Sequence, residues 1–149
     1  MTYLGQMMRN SILWSSLLAW FIAQFLKVIL TIIFMKKLDL RRFVGSGGMP
    51  SSHTALVVSL AASIGLAEGF DSPLFALAAA ISLVVMYDAA GVRRAAGKQA
   101  AILNEIIAAL QTHQSIPNEK LKELIGHTPI EVIAGALLGI IVSLIFAYS

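Results

Sequence analysis

Two histidines stand in matching surroundings. His53 closes the run Gly47-Gly48-Met49-Pro50-Ser51-Ser52-His53, which leads into an apolar stretch, and His127 lies in Gly126-His127-Thr128-Pro129-Ile130-Glu131, which opens the last apolar stretch. A polar segment before a long apolar run marks a helix mouth, where free backbone N–H groups and the helix dipole favour an anion. Two such mouths facing each other would make a phosphate site. Either histidine taken alone also fits a plain polar boundary residue, and the joint pattern is what carries the functional reading.

Each group has a definable capability. Ser51 or Ser52 can cap the helix that follows, and Gly47 and Gly48 let backbone approach a ligand closely. His127 and Glu131 are four apart, which would stack them on one helical face and let the carboxylate accept the imidazole N–H. That bond selects a tautomer and makes the other ring nitrogen a better nucleophile. Arg93 and Arg94 offer forked donors for phosphoryl oxygens. His53, across the phosphate, could protonate a leaving oxygen.

The elements that must hold these residues are membrane helices. Of 149 residues 58% are hydrophobic and 13% charged, and the mean hydropathy is +0.81; a soluble domain carries roughly 25% charged residues. There is no cysteine, hence no disulfide and no thiolate metal site. The pI of about 9.5 is not a nucleic-acid signature, because the basic residues gather at the ends of apolar segments. Four spans are expected: about Ser11 to Met35, His53 to about Leu66, Pro73 to about Ala89, and Pro129 to Tyr148. The first is too long for a signal-peptide core and has no small-residue cleavage site after it, so it is expected to stay in the mature protein.

Between the third and fourth spans, the Gly97–Gly126 stretch predicts short amphipathic helices, the first with Ala100, Leu103, Ile107 and Leu110 on one face and the second from Asn118 to Ile125. Lys36, Lys37, Arg41 and Arg42 follow the first span, Arg93, Arg94 and Lys98 the third, and Lys120 and Lys122 precede the fourth. With four spans all of these share one side, which the positive-inside rule assigns to the cytoplasm, with both termini outside. The same arithmetic brings His53, Arg93, Arg94 and His127 to one membrane face. Lys27 lies inside the first span, ~13 Å from Lys36 at 1.5 Å per residue. Intramembrane charges face a partner or a wet cavity, so Gln24, three residues earlier, and Asp88, near the end of the third span, are its expected neighbours. Gly135, Gly139 and Ser143, at four-residue spacing, read as a helix-packing stripe.

At these residues the chain resembles a known family. Pro50-Ser51-Ser52-His53 is similar to the Pro-Ser-Gly-His motif of the type 2 phosphatidic acid phosphatase and vanadium haloperoxidase superfamily, and the His127–Gly135 stretch is similar to its third motif. Together with Tyr87-Asp88-Ala89-Ala90-Gly91-Val92-Arg93-Arg94, they resemble the divergent branch of that superfamily, over most of the chain from Gln24 onward. The resemblance implies His127 as the nucleophile that takes the phosphoryl group, Glu131 as its orienting acid and His53 as general acid. Ser52 stands in place of the motif glycine, and Leu121 stands where the third motif has an arginine, with Arg93 and Arg94 upstream. The first motif's lysine and Arg-Pro pair is absent, Lys27 being the first substitute and Arg41 and Arg42 the next.

The sequence therefore predicts an all-α, polytopic membrane helix bundle, a single membrane-embedded domain over residues 1–149. Its expected function is hydrolysis of a lipid phosphate or diphosphate through a phosphohistidine at the cytoplasmic interface of the cell (inner) membrane, with no metal or other cofactor. The alternative is a catalytically silent protein of the same fold that binds anionic lipid or organises a membrane assembly. Four spans without inverted repeats argue against a transporter. The expected partners are a lipid substrate and membrane lipids, not nucleic acid; so few helices enclose a site poorly, which suits a homodimer.

Overall fold

The computed structural model describes residues 2–36, 48–111 and 127–148; the side chains of Met35, residues 92–96, Lys98, Ala109 and Gln111 are not described. Among the described residues all regular structure is helical: α1 (Tyr3–Met8), α2 (Ser11–Met35), α3 (Ser52–Glu68), α4 (Pro73–Ala90), α5 (Val92–Gln111) and α6 (Pro129–Ala147). The starts of the long helices follow from local chemistry. Asn10, Ser51, Ser72 and Thr128 each sit at an N-cap and accept a backbone N–H from the first turn, and Pro73 and Pro129 occupy the first helical position, where no N–H is needed.

Among the described residues three helices, within α2, α4 and α6, are long and apolar enough to cross a membrane. Their outward faces carry large exposed apolar side chains, among them Phe21, Phe25, Ile81, Val84, Ile141 and Ile145, which is the surface of a protein solvated by lipid. The second expected span, α3, is shorter at 17 residues, about 26 Å. It is the centre of the bundle, packed by α2, α4 and α6. Its buried residues are small and partly polar, including Thr54, Ser59, Ser63 and Gly65. A helix covered by protein need be neither full length nor uniformly apolar, which is why its hydropathy is the weakest of the four expected spans.

Helices α2 and α3 run antiparallel, joined at their far ends by a 2.7 Å bond between Ser15 Oγ and Ser63 Oγ. Helices α3 and α6 run parallel and cross closely. A Cβ on Gly135 would overlap the Ser51 carbonyl oxygen, and one on Gly139 would lie 2.6 Å from the Ala55 carbonyl oxygen. Gly139, Gly135 and the buried Ser143 are thus the packing stripe expected from their spacing. Ala19, Ala23, Ala55 and Val142 form the apolar centre.

The segment after α4 departs from expectation. The amphipathic helix expected from Gly97 begins earlier: α5 starts at Val92, with only Gly91 between it and α4, and takes in the Arg93 and Arg94 backbone. Arginine and alanine continue a helix readily, and Gly97 is tolerated inside it, buried. Ile102, Leu103, Ile106 and Leu110 are exposed on α5. The helix expected over Asn118–Ile125 lies outside the described residues.

Candidate active site at the paired helix mouths

The two histidine-bearing mouths meet. The Ser51 N–H donates to the Glu131 carbonyl oxygen at 2.9 Å, which ties the start of α3 to the first turn of α6. The His127 N–H donates to the Ala89 carbonyl oxygen at 3.1 Å, which ties the approach to α6 to the end of α4. The imidazoles of His53 and His127 lie edge to face, centroids 6.5 Å apart. His53 is exposed in the first turn of α3, and His127 is 2% exposed.

The His127–Glu131 contact forms, though not by stacking on a helical face. His127 precedes the N-cap Thr128, and Glu131 is the third residue of the helix, folding back over the mouth. Its Oε2 accepts from His127 Nδ1 at 3.0 Å and from the Thr128 N–H at 3.1 Å, while Thr128 Oγ1 accepts from the Glu131 N–H. This is a capping box, legible as Thr-x-x-Glu although sequence reasoning passed over Thr128. A carboxylate only accepts, so the shared proton sits on Nδ1, and in the neutral form of the ring the lone pair is on Nε2.

Ser51 is the N-cap of α3: its Oγ accepts from the Thr54 N–H at 3.4 Å and from Thr54 Oγ1 at 3.0 Å. Ser51, Ser52 and Thr54 are all fully buried. Gly48 adopts a φ of 89°, a left-handed conformation that suits glycine, and precedes a cis Met49–Pro50 bond. Thr54 carried no motif signal; its place in the cap network follows from standing three residues after Ser51.

Lys27 is 1% exposed and Gln24 4%. Its Nζ donates to Gln24 Oε1 at 2.8 Å. The expected Lys27–Asp88 pair is not formed: Asp88 is exposed near the end of α4, whereas the ammonium is turned into the bundle. The level of Lys27 follows from the Ser15–Ser63 contact. Antiparallel helices keep pace, so twelve residues onward from Ser15 matches twelve back from Ser63, and the Lys27 backbone comes level with Ser51 while its Nζ reaches back to Gln24. The Arg93 and Arg94 backbone enters α5 within a turn or so of Ala89, beside the His127 tether; their side chains, and Arg41 and Arg42 altogether, lie outside the described residues.

The described arrangement offers an imidazole paired with a carboxylate, a second imidazole beside it, a serine-capped helix mouth and a buried lysine. The family model described as the Divergent PAP2 family matches residues 8–142. The chain is similar to an uncharacterized membrane protein YuiD of Bacillus subtilis (strain 168), 40% identical over 154 residues that cover 96% of this chain and 98% of that protein. No solved structure matches it.

Proposed function

The chain belongs to the Divergent PAP2 family, and from that premise we propose that it hydrolyses the phosphate or diphosphate ester of a membrane lipid through a phosphohistidine, at the cytoplasmic face of the cell membrane. The observation that carries the proposal is the convergence of His127, oriented by Glu131, with His53 across a 6.5 Å ring separation. His127 Nε2 attacks phosphorus and forms the N–P bond as the P–O bond to the lipid breaks. The leaving oxygen takes a proton from protonated His53, and water then hydrolyses the phosphohistidine. The helix mouth at Ser51, with Lys27 at its level, supplies positive potential for the phosphoryl oxygens. Arg93 and Arg94, carried into the first turn of α5, are the proposed additional phosphate ligands.

The test is phosphate release from phosphatidate, phosphatidylglycerophosphate and prenyl diphosphates by purified protein in mixed micelles, with acid-labile phosphate trapped on His127 by rapid quench. Release by wild type, and its loss in His127→Ala, is the expected result. If wild type and His127→Ala release nothing yet bind anionic lipid equally, the protein is the silent lipid-binding member of its fold.

A further inference from the structure

Between α4 and α6 the bundle carries a groove, floored by α3 over its second half. It consists of two apolar cavities of about 590 and 490 Å³ that share Leu83 and Met86 as lining. The first is bounded at its inner end by Ala90 and Pro129, the neighbours of Ala89 and Thr128, so it abuts the tether that positions His127. The second extends to Phe70, Phe75 and Leu144. There the rings of Phe70 and Phe75 meet edge to face with centroids 5.1 Å apart.

The wall is suited to hydrocarbon. Its two serine hydroxyls are already engaged by helix carbonyls: Ser82 Oγ donates to Val57 and Ala78, and Ser143 Oγ to Ile140. Alanines at 62, 79 and 136 deepen the groove where larger residues would fill it. Leu83, Val84 and Ile133 at its margins are exposed, so the groove opens sideways to the bilayer.

We propose that this groove seats a single hydrocarbon chain of the lipid whose phosphate lies at His127, and that the Phe70–Phe75 pair closes its far end and limits chain length. The inference rests on the lipid phosphatase reading and narrows its substrate. From Pro129 to Leu144 the groove follows fifteen residues of α6, about 22 Å, whereas one leaflet of hydrocarbon is about 15 Å deep, half of ~30 Å. A chain that fills it lies straight and reaches past the bilayer midplane, and one groove takes one chain. The class of substrate is a lipid phosphate or diphosphate with one long hydrocarbon chain, tested below with a prenyl phosphate, in preference to a diacyl lipid.

The experiment uses the full-length protein in lipid micelles and a long prenyl phosphate with a photoreactive group at its hydrocarbon end. Crosslinks should fall between Phe70 and Ala79 and around Leu144, while a short prenyl phosphate should label nearer Met86 and Ile133. Ala79→Phe and Ala136→Phe, made separately so that a folding defect in one does not decide the matter, should lower long-chain labelling about tenfold and leave vanadate binding intact. Labelling scattered over the outward face of α2, labelling unchanged in both variants, or crosslinks that join two protein copies in place of lipid would each overturn the groove. Phosphate release separates the two readings. Groove labelling without release removes the phosphatase and keeps the lipid site. Equal release from phosphatidate and from a long prenyl phosphate, undiminished in both variants, keeps the phosphatase and removes the groove.

Discussion

At the scale of the residue, the two histidines are distinguished by their partners, and the distinction can be measured. His127 makes the bond that exposes a lone pair, so His127→Ala removes the covalent route, whereas His53→Ala removes leaving-group protonation, worth roughly 10² to 10⁴ in rate. An aryl phosphate, whose leaving group needs no proton, should restore His53→Ala and not His127→Ala. Glu131→Gln should fall between them, since an amide can still meet the ring and the Thr128 N–H but carries no charge to stabilise an imidazolium. Equal rescue of both histidine variants would remove the nucleophile from His127. For Lys27 the expected result of Lys27→Met is weaker vanadate binding with the fold retained in detergent; unchanged binding would leave the Lys27–Gln24 contact a packing feature. Chain order alone brought His53, His127 and Glu131 to one site. It offered both Gln24 and Asp88 to Lys27 and could not show that Gln24 and not Asp88 would be met, because that choice depends on which faces of α2 and α4 meet the bundle.

At the scale of the element, the close crossing of α3 and α6 decides the site's dimensions. Four-residue spacing announced Gly135, Gly139 and Ser143 as a packing stripe, and the starts at Ser11, Pro73 and Pro129 and the cap at Ser51 were read from the sequence, whereas the caps Asn10, Ser72 and Thr128 were passed over. The bonds from Ser51 to Glu131 and from His127 to Ala89 were not legible, because backbone groups carry no residue-type signal and the crossing sets their register. The start of α5 was misplaced for a local reason, since paired arginines after an apolar run read as the end of a span. Gly139→Val should therefore destabilise the protein by about 1–3 kcal/mol, since its new Cβ would press on backbone atoms of Ala55 and Ser59 that cannot swing aside. The readout is earlier unfolding in a denaturing-detergent titration. Gly5→Ala, where the nearest atom would be 3.5 Å away, should change the midpoint little. A similar shift in both would mean that the crossing has slack, and that the histidines are not held by it.

At the scale of the whole molecule, everything depends on whether α3 crosses the bilayer. At 17 residues it is shorter than α2 or α6, yet the chain on either side of it must reach opposite faces for both histidine mouths to share one. The absence of cysteine makes this directly measurable. Lys36, after α2, and Asp71, between α3 and α4, are both exposed and lie at opposite ends of the bundle. In intact cells an impermeant thiol reagent should label Asp71→Cys and a cysteine at exposed Tyr3, and should spare Lys36→Cys and Lys98→Cys until the membrane is opened. That pattern needs both α2 and α3 to cross, and it sets His53 and His127 on the cytoplasmic side with the basic residues. Labelling of Lys36→Cys and Asp71→Cys from the same side would make α3 a re-entrant element, and the charge argument for a four-span topology would then fail with it. Labelling of Lys36→Cys and Lys98→Cys in place of Asp71→Cys would keep the bundle and invert it, so that the phosphate site would draw its lipid from the outer leaflet.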